Sequence, residues 1–328
     1  YSYGFNVCIQ ESFFREKLWI GSDRSNYFVC GLCNCFNAAD LCDKKKGSGS
    51  MKKKFVHNSQ YILLSILLVV YIFPFFLVLI NSFKSKRDVI KNPLSIIGTE
   101  GFQPGNYILA MKRMNFGSVF MNSLIITVVS VLLITVLSSM TAYFFARCKW
   151  KINKLFFSMM ILSMVIPFQV LMIPIVSVYG SVLHVLNSKI TLICLHVGFG
   201  VSMGTFMFHG AIISSIPMEL EEAAKIDGAS RLKIYGSVIL PLLKPTVVTL
   251  VIIDSLAIWN DYLLPSLVLV KKELYTLPIA AQSFHGDFSS DYGLMMAGMV
   301  LSIIPILILY FALQKHIIEG VVAGAVKG

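Results

Sequence analysis

"IPMELEEAAKIDGASRLKIYGSVILPLLKP", residues 216–245, is an island of charge and small side chains between two long apolar runs. Pro217 suits the first turn of a helix, Glu219, Glu221 and Glu222 stand where carboxylates favour a helix N-terminus, and Lys225 lies nearer its end. Gly228 can close that helix in a left-handed conformation, and Ser230 can cap a second helix carrying Leu232, Tyr235 and Ile239 on one face. Pro241 and Pro245 then stop the second helix. The island is therefore expected to be a folded helix-turn-helix. Ala223 and Ala224 offer little side chain, so another backbone can approach. Two readings follow: a loop packed on its own bundle, or a docking surface for a soluble partner.

The flanks say what the island rests on. The chain is 56% hydrophobic and only 14% charged, against about 25% charge in a soluble domain. Uncharged runs cover 61–80, 116–146, 155–188, 190–218 and 292–314, and a further one at 246–270 is interrupted only by Asp254 and Asp261. About 20 helical residues at ~1.5 Å each cross the hydrocarbon core, and barrel strands need only about ten. Trimmed at polar and Gly/Pro signals, the runs predict six spanning helices near 61–80, 118–145, 155–179, 189–213, 246–266 and 293–313. The fold class is thus an all-α membrane protein.

With six spans the termini share a side. That side carries thirteen Lys and Arg in its flanks and loops, including Lys52 to Lys54, Arg147, Lys225 and Arg231, against eight on the other. The bias places both termini and the 214–245 loop in the cytoplasm. The formal net charge of +11 fits anionic lipid headgroups beside apolar spans better than nucleic acid, which is not expected as a partner.

Residues 1–50 differ in texture from the rest. They hold five of the seven cysteines and end in "DKKKGSGS", whereas "MKKKFVHNSQYILLS" from Met51 opens as a membrane protein does. They read as an atypical leader, non-native or disordered, ahead of a six-span domain over 51–328. "CGLCNC" at 30–35 has close thiolates but no second well-spaced pair or histidine, so no metal site is expected.

The 216–245 stretch resembles the cytoplasmic signature of integral-membrane permease subunits of binding-protein-dependent ABC importers. Its glutamate-alanine-alanine is Glu222-Ala223-Ala224, its glycine is Gly228, and Leu240-Pro241 close it; Val238 stands where isoleucine is commonest. "NSL" at 122–124, "TAYFFAR" at 141–147, "IPFQV" at 166–170, "WNDYLLP" at 259–265, "TLPIA" at 276–280 and "EGVVAGAVKG" at the end extend the resemblance to the carbohydrate-uptake branch, in the type of the second maltose permease. The resemblance spans about 55–328. It implies a six-transmembrane ABC importer permease fold with a cytoplasmic coupling loop over 214–245 and a tail over 314–328. It implies no catalytic residue and no cofactor bound by this subunit, ATP being used by the partner ATPase. The implied partners are a second permease, two ATPase subunits, an extracytoplasmic sugar-binding protein and membrane lipid, in a bacterial or archaeal cell membrane. The coupling role carries over to Glu222, Ala223, Ala224, Asp227 and Gly228, and the contact of the tail with the ATPase dimer to roughly 319–328.

Inside the spans, Asp254 is a carboxylate in an apolar segment, where insertion costs roughly 2.5–3.5 kcal/mol. It should face the bundle or a wet cavity, as a translocation-path contact or as a hydrogen-bonding partner of a neighbouring helix. Gln169, between Pro167 and Pro174, marks a broken third span, and Asn260 with Asp261 a polar corner of the fifth. Asp254, Gln169 and Asn260 are the candidate path residues. His196 and His209 are expected to bond between helices. An ion-coupled secondary transporter would need paired charges within the spans, and a non-transporting membrane scaffold is the other alternative.

Overall fold

The computed structural model describes residues 50–284 and 291–325. Residues 1–49 of the expected leader over 1–50, with its cysteine-rich stretch, and the last three residues of the tail lie outside them. The chain divides into two compact units, residues 1–72 and 73–328. The described part of the first is the start of α1, Ser50–Asn81.

Among the described residues the structure is helical, without strands. After α1 come α2, Lys86–Lys91, and α3, Gly105–Met114, in the connection to the long α4, Phe116–Arg147. Then follow α5, Lys151–Ser163, α6, Phe168–Val182, and α7, Lys189–Ser215. The island forms α8, Met218–Ile226, and α9, Arg231–Leu242. The chain continues through α10, Lys244–Trp259, α11, Leu263–Val268, α12, Leu277–Gln282, and α13, Tyr292–Ala325.

Gln60–Asn81, α4 and α7 are single helices long and apolar enough to span. The other three expected spans have more structure than straight rods. The third breaks between Ser163 and Phe168, where α5 and α6 meet at 95°; Pro167 removes a helical donor there and holds its predecessor out of the helical region. The fifth, expected over 246–266, ends at Trp259. Asn260 Nδ2 donates to the Leu256 carbonyl at 2.9 Å. Asp261 Oδ1 then accepts from the Leu264 amide at 3.4 Å and starts α11. The sixth, expected to stop at 313, continues as helix to Ala325.

α4 and α7 pack most extensively, through small residues. A side chain at Gly204 would stand 2.5 Å from Ser138 Oγ, and one at Gly200 would stand 2.5 Å from Ile134. Close backbone approach replaces the hydrophobic drive that lipid cannot supply. One buried cluster joins Ile134, Phe208, Ile212 and Leu250 of the long helices to Ile234 and Ile239 of α9. The island is thus built into the bundle.

The connection after α1 is equally ordered. Lys84 is buried, and its ammonium donates to Asn81 Oδ1, Asn92 O and Pro93 O at 2.9, 3.0 and 3.2 Å. Burial pushes its pKa below the ordinary value, against the pull of the Asp88 carboxylate. Asp88 accepts from Thr99 Oγ1 at 2.6 Å, the main reason its own pKa is lowered.

Candidate functional site

α8 is a short helix with two unlike faces. Its start follows extended Pro217, and its end is a glycine stop: Gly228 has φ +78°. The Ala229 amide reaches the Ala224 carbonyl, and the Gly228 amide the Lys225 carbonyl, each at 3.0 Å. These two bonds satisfy carbonyls that a helix end leaves open. Ser230 caps α9, its hydroxyl accepting from the Lys233 amide at 3.4 Å.

The inner face is held by a clamp. Glu221 is 2% exposed, and its carboxylate accepts from Arg147 Nε and, at 3.0 Å, from Tyr143 Oη. Arg147 also donates through Nη2 to the Ile216 carbonyl at 2.9 Å. Tyr143 and Arg147 are four apart on α4, so they stand on one face of its last turn. Ser139, one turn earlier, shares a 2.7 Å hydroxyl contact with Tyr235 of α9. A buried carboxylate requires such partners.

The outer face carries the island's other residues. Glu222, Ala223, Asp227 and Gly228 are exposed, and Ile226, at 87% exposure, presents a large apolar side chain away from the protein. Ala224 turns inward and packs on the buried cluster. The α9 face also differs from expectation. Ile234 and Ile239 are fully buried, Tyr235 is half-buried and Leu232 is 72% exposed. Residues Tyr235–Ile239 form a π-helical turn, and its extra residue per turn rotates the face away from 3.6 periodicity.

Reading the sequence missed the clamp, although both of its α4 residues lie in "TAYFFAR". A second motif pair meets at the other end of α4. Asn122 Nδ2 donates to the Glu273 and Tyr275 carbonyls at 2.9 and 3.0 Å, and the Leu277 amide donates to Ser123 Oγ at 2.8 Å. "NSL" thereby fixes the start of "TLPIA". Trp259 donates from Nε1 to the Ser302 carbonyl at 3.2 Å, tying the fifth apolar segment to α13.

The three candidate path residues stand apart in character. Asp254 is buried, and its Oδ2 has no hydrogen-bond partner among the described residues. Gln169 is exposed on α6, and Asn260 is exposed where it closes α10. None of them lines the apolar groove of about 800 Å³ formed by α4, α10 and α13, although Ser255, next to Asp254, does. His196 is buried, 4.0 Å from Asp261, and His209 stacks against Phe157 with ring centroids 4.2 Å apart.

A folded surface helix clamped to a spanning helix, with its outer face open, is the geometry of a membrane component that receives something from outside the bundle. The family described as "Binding-protein-dependent transport system inner membrane component" matches residues 134–322, from mid-α4 through the island and into α13. The chain belongs to this family. It is therefore a transport permease component of the inner membrane.

Among its relatives, the "Probable starch degradation products transport system permease protein AmyC" of Thermoanaerobacterium thermosulfurigenes is 42% identical over 83% of this chain and 98% of its own. The "Multiple sugar-binding transport system permease protein MsmG" of Streptococcus mutans is 36% identical over 84% of this chain and 100% of its own. In fold, the permease resembles a chain of a bacterial ABC transporter that imports the acidic polysaccharide alginate. The TM-score is 0.65 at 21% identity, covering 82% of this chain and 99% of that one. The importer permease fold implied by the resemblance is the fold observed, with three single spanning helices and two bent pairs among the described residues.

Proposed function

We propose that the protein is one permease of an ATP-driven importer and forms half of a path for a sugar or oligosaccharide delivered by an extracytoplasmic binding protein. The observation that carries this reading is α8, locked on its inner face by Arg147 and Tyr143 while Glu222, Ala223, Ile226, Asp227 and Gly228 stay open on the other. A helix fixed to the bundle transmits a push; one hung on a slack loop would absorb it. The open face is the seat of an ATPase subunit, which hydrolyses ATP while the permease itself binds no cofactor. The sugar class is supported by the names of the relatives, which speak of starch degradation products and multiple sugars.

Two ATPase subunits and a second permease complete the assembly, with both termini and the island in the cytoplasm, the side favoured by the lysine and arginine bias. Asp254, Gln169 and Asn260 serve the path, Asp254 with a carboxylate oxygen that no group of this chain occupies among the described residues. The end of the tail, roughly 319–328, follows the ATPase dimer.

Co-purification of the assembly from membranes, followed by reconstitution in liposomes, tests the reading. ATP hydrolysis should rise when sugar-loaded binding protein is added, with sugar accumulating inside. Accumulation that continues without ATP under an ion gradient would overturn it in favour of a secondary transporter.

A further inference from the structure

Behind α8, on the face opposite its open one, lies a cavity of about 280 Å³. Met218, Glu221 and Lys225 line it from α8, at positions that share one helix face. Arg147 enters from α4 and Arg231 from α9. Three cations thus surround one carboxylate, and that carboxylate already belongs to Arg147. Lys225 and Arg231 are exposed and form no ion pair among the described residues. Among the described residues that line it, the cavity carries an excess of positive charge, with Glu221 its one carboxylate.

Its remaining wall is apolar. Met140 and Phe144 reach it from α4. They continue a line of exposed side chains, Leu132, Val136, Met140 and Phe144, at 59, 45, 41 and 42% exposure. The spacing of four keeps this line on one helix face, running from the cavity along the spanning segment. A small soluble anion would use the cations and leave the stripe idle. A molecule with an anionic head and a hydrocarbon chain uses both. The volume equals roughly nine waters at about 30 Å³ each, room for a phosphodiester with a glycerol.

We propose that this cavity binds the headgroup of an anionic phospholipid. Lys225 and Arg231 hold the phosphate, and an acyl chain lies along Met140 and Phe144. Binding itself requires only the membrane. Its consequence, that the lipid braces α8 from behind, rests on the proposed coupling function. Basic side chains beside a span attract anionic lipid in general; here two of them converge on a cavity at the root of an acyl-sized stripe.

The test uses the whole assembly in phosphatidylcholine vesicles with or without phosphatidylglycerol, doped with photoreactive phosphatidylglycerol. Label should map to peptides containing 140–144 or 218–232 and fall roughly tenfold in the double variant Lys225→Gln/Arg231→Gln. Lys225→Arg, which keeps the charge, should keep the label and controls for folding. Excess glycerol phosphate should not displace the probe. Label elsewhere, equal label in the double variant, loss of label in Lys225→Arg, or displacement by glycerol phosphate, which marks a small-anion site, would each overturn the proposal. Recovery of the ATPase on pull-down is read in parallel. Intact recovery with absent labelling refutes the lipid and leaves coupling standing; labelling with no recovery does the reverse.

Discussion

The two ends of α4 hold their neighbours by different chemistry. At its start, Asn122 and Ser123 hold the backbone of 273–277 with a neutral amide and a hydroxyl. At its end, Arg147 and Tyr143 hold the side chain of Glu221 with charge. A clamp on backbone carbonyls asks nothing of the identity of residues 273 and 275. A clamp on a buried carboxylate fixes one residue of one helix. The difference teaches where the molecule needs a specific, stiff joint: under α8, the helix whose outer face is open. Between the two clamps the close-packed Ser138, Gly200 and Gly204 keep α4 and α7 together, so α4 is a strut joining both ends.

Breaking the charged clamp has the largest expected effect. Arg147→Ala leaves the Glu221 carboxylate buried without its cation, a loss on the order of 3 kcal/mol for a buried pair broken from one side. The prediction is that α8 comes loose: ATPase recovery in pull-downs collapses while membrane abundance is kept by the spans. Arg147→Lys should rescue it only in part, since an ammonium cannot serve both Glu221 and the Ile216 carbonyl with the same fork. ATPase recovery at wild-type level in Arg147→Ala would show the clamp to be ornamental.

At the other end, Asn122→Ala strips the donor from the Glu273 and Tyr275 carbonyls, a cost of about 1–2 kcal/mol. The thermal midpoint of the purified assembly should drop, with ATPase recovery intact. If Asn122→Ala releases the ATPase as fully as Arg147→Ala, the two ends are not distinct joints and the comparison fails.

The smallest effect belongs to the middle of the bundle. Asp254→Asn keeps the shape and removes the ionisable group of a side chain whose Oδ2 has no partner among the described residues. As a path contact it should raise the apparent sugar requirement for uptake a few-fold, with stability and ATPase recovery unchanged. Normal uptake in both Asp254→Asn and Asp254→Leu would remove the residue from the path.

Much of this was legible beforehand. The helix-turn-helix, the left-handed glycine and the Ser230 cap follow from local rules that act within a few residues, and all three are present. The apolar runs located the spanning helices because lipid makes length and hydrophobicity decisive. What could not be read is what depends on distant partners. Glu221 looks like any acidic residue at a helix start until Arg147, 74 positions away, is folded against it. The inward turn of Ala224 and the outward Ile226 depend on which face of α8 the clamp selects. The rotated face of α9 depends on a π turn that 3.6 periodicity cannot anticipate. The end of the fifth apolar helix at Trp259 was half visible: the polar corner at Asn260 was recognised, but its power to stop the helix came from the Asn260 bond to Leu256.

The central claim is that α8 is the mechanical link between ATP hydrolysis and the path, and Gly228→Val tests it most directly. Gly228 has φ +78° and open space where a side chain would stand. The substitution therefore introduces backbone strain without a clash, on the order of 1 kcal/mol or more for a β-branched residue. Relief of that strain tilts the short helix and leaves the spanning helices their own hydrogen bonds. Uptake, ATP hydrolysis and ATPase recovery are measured together on the reconstituted assembly. The account predicts normal membrane abundance, reduced ATPase recovery and little uptake; full recovery with normal uptake would contradict it.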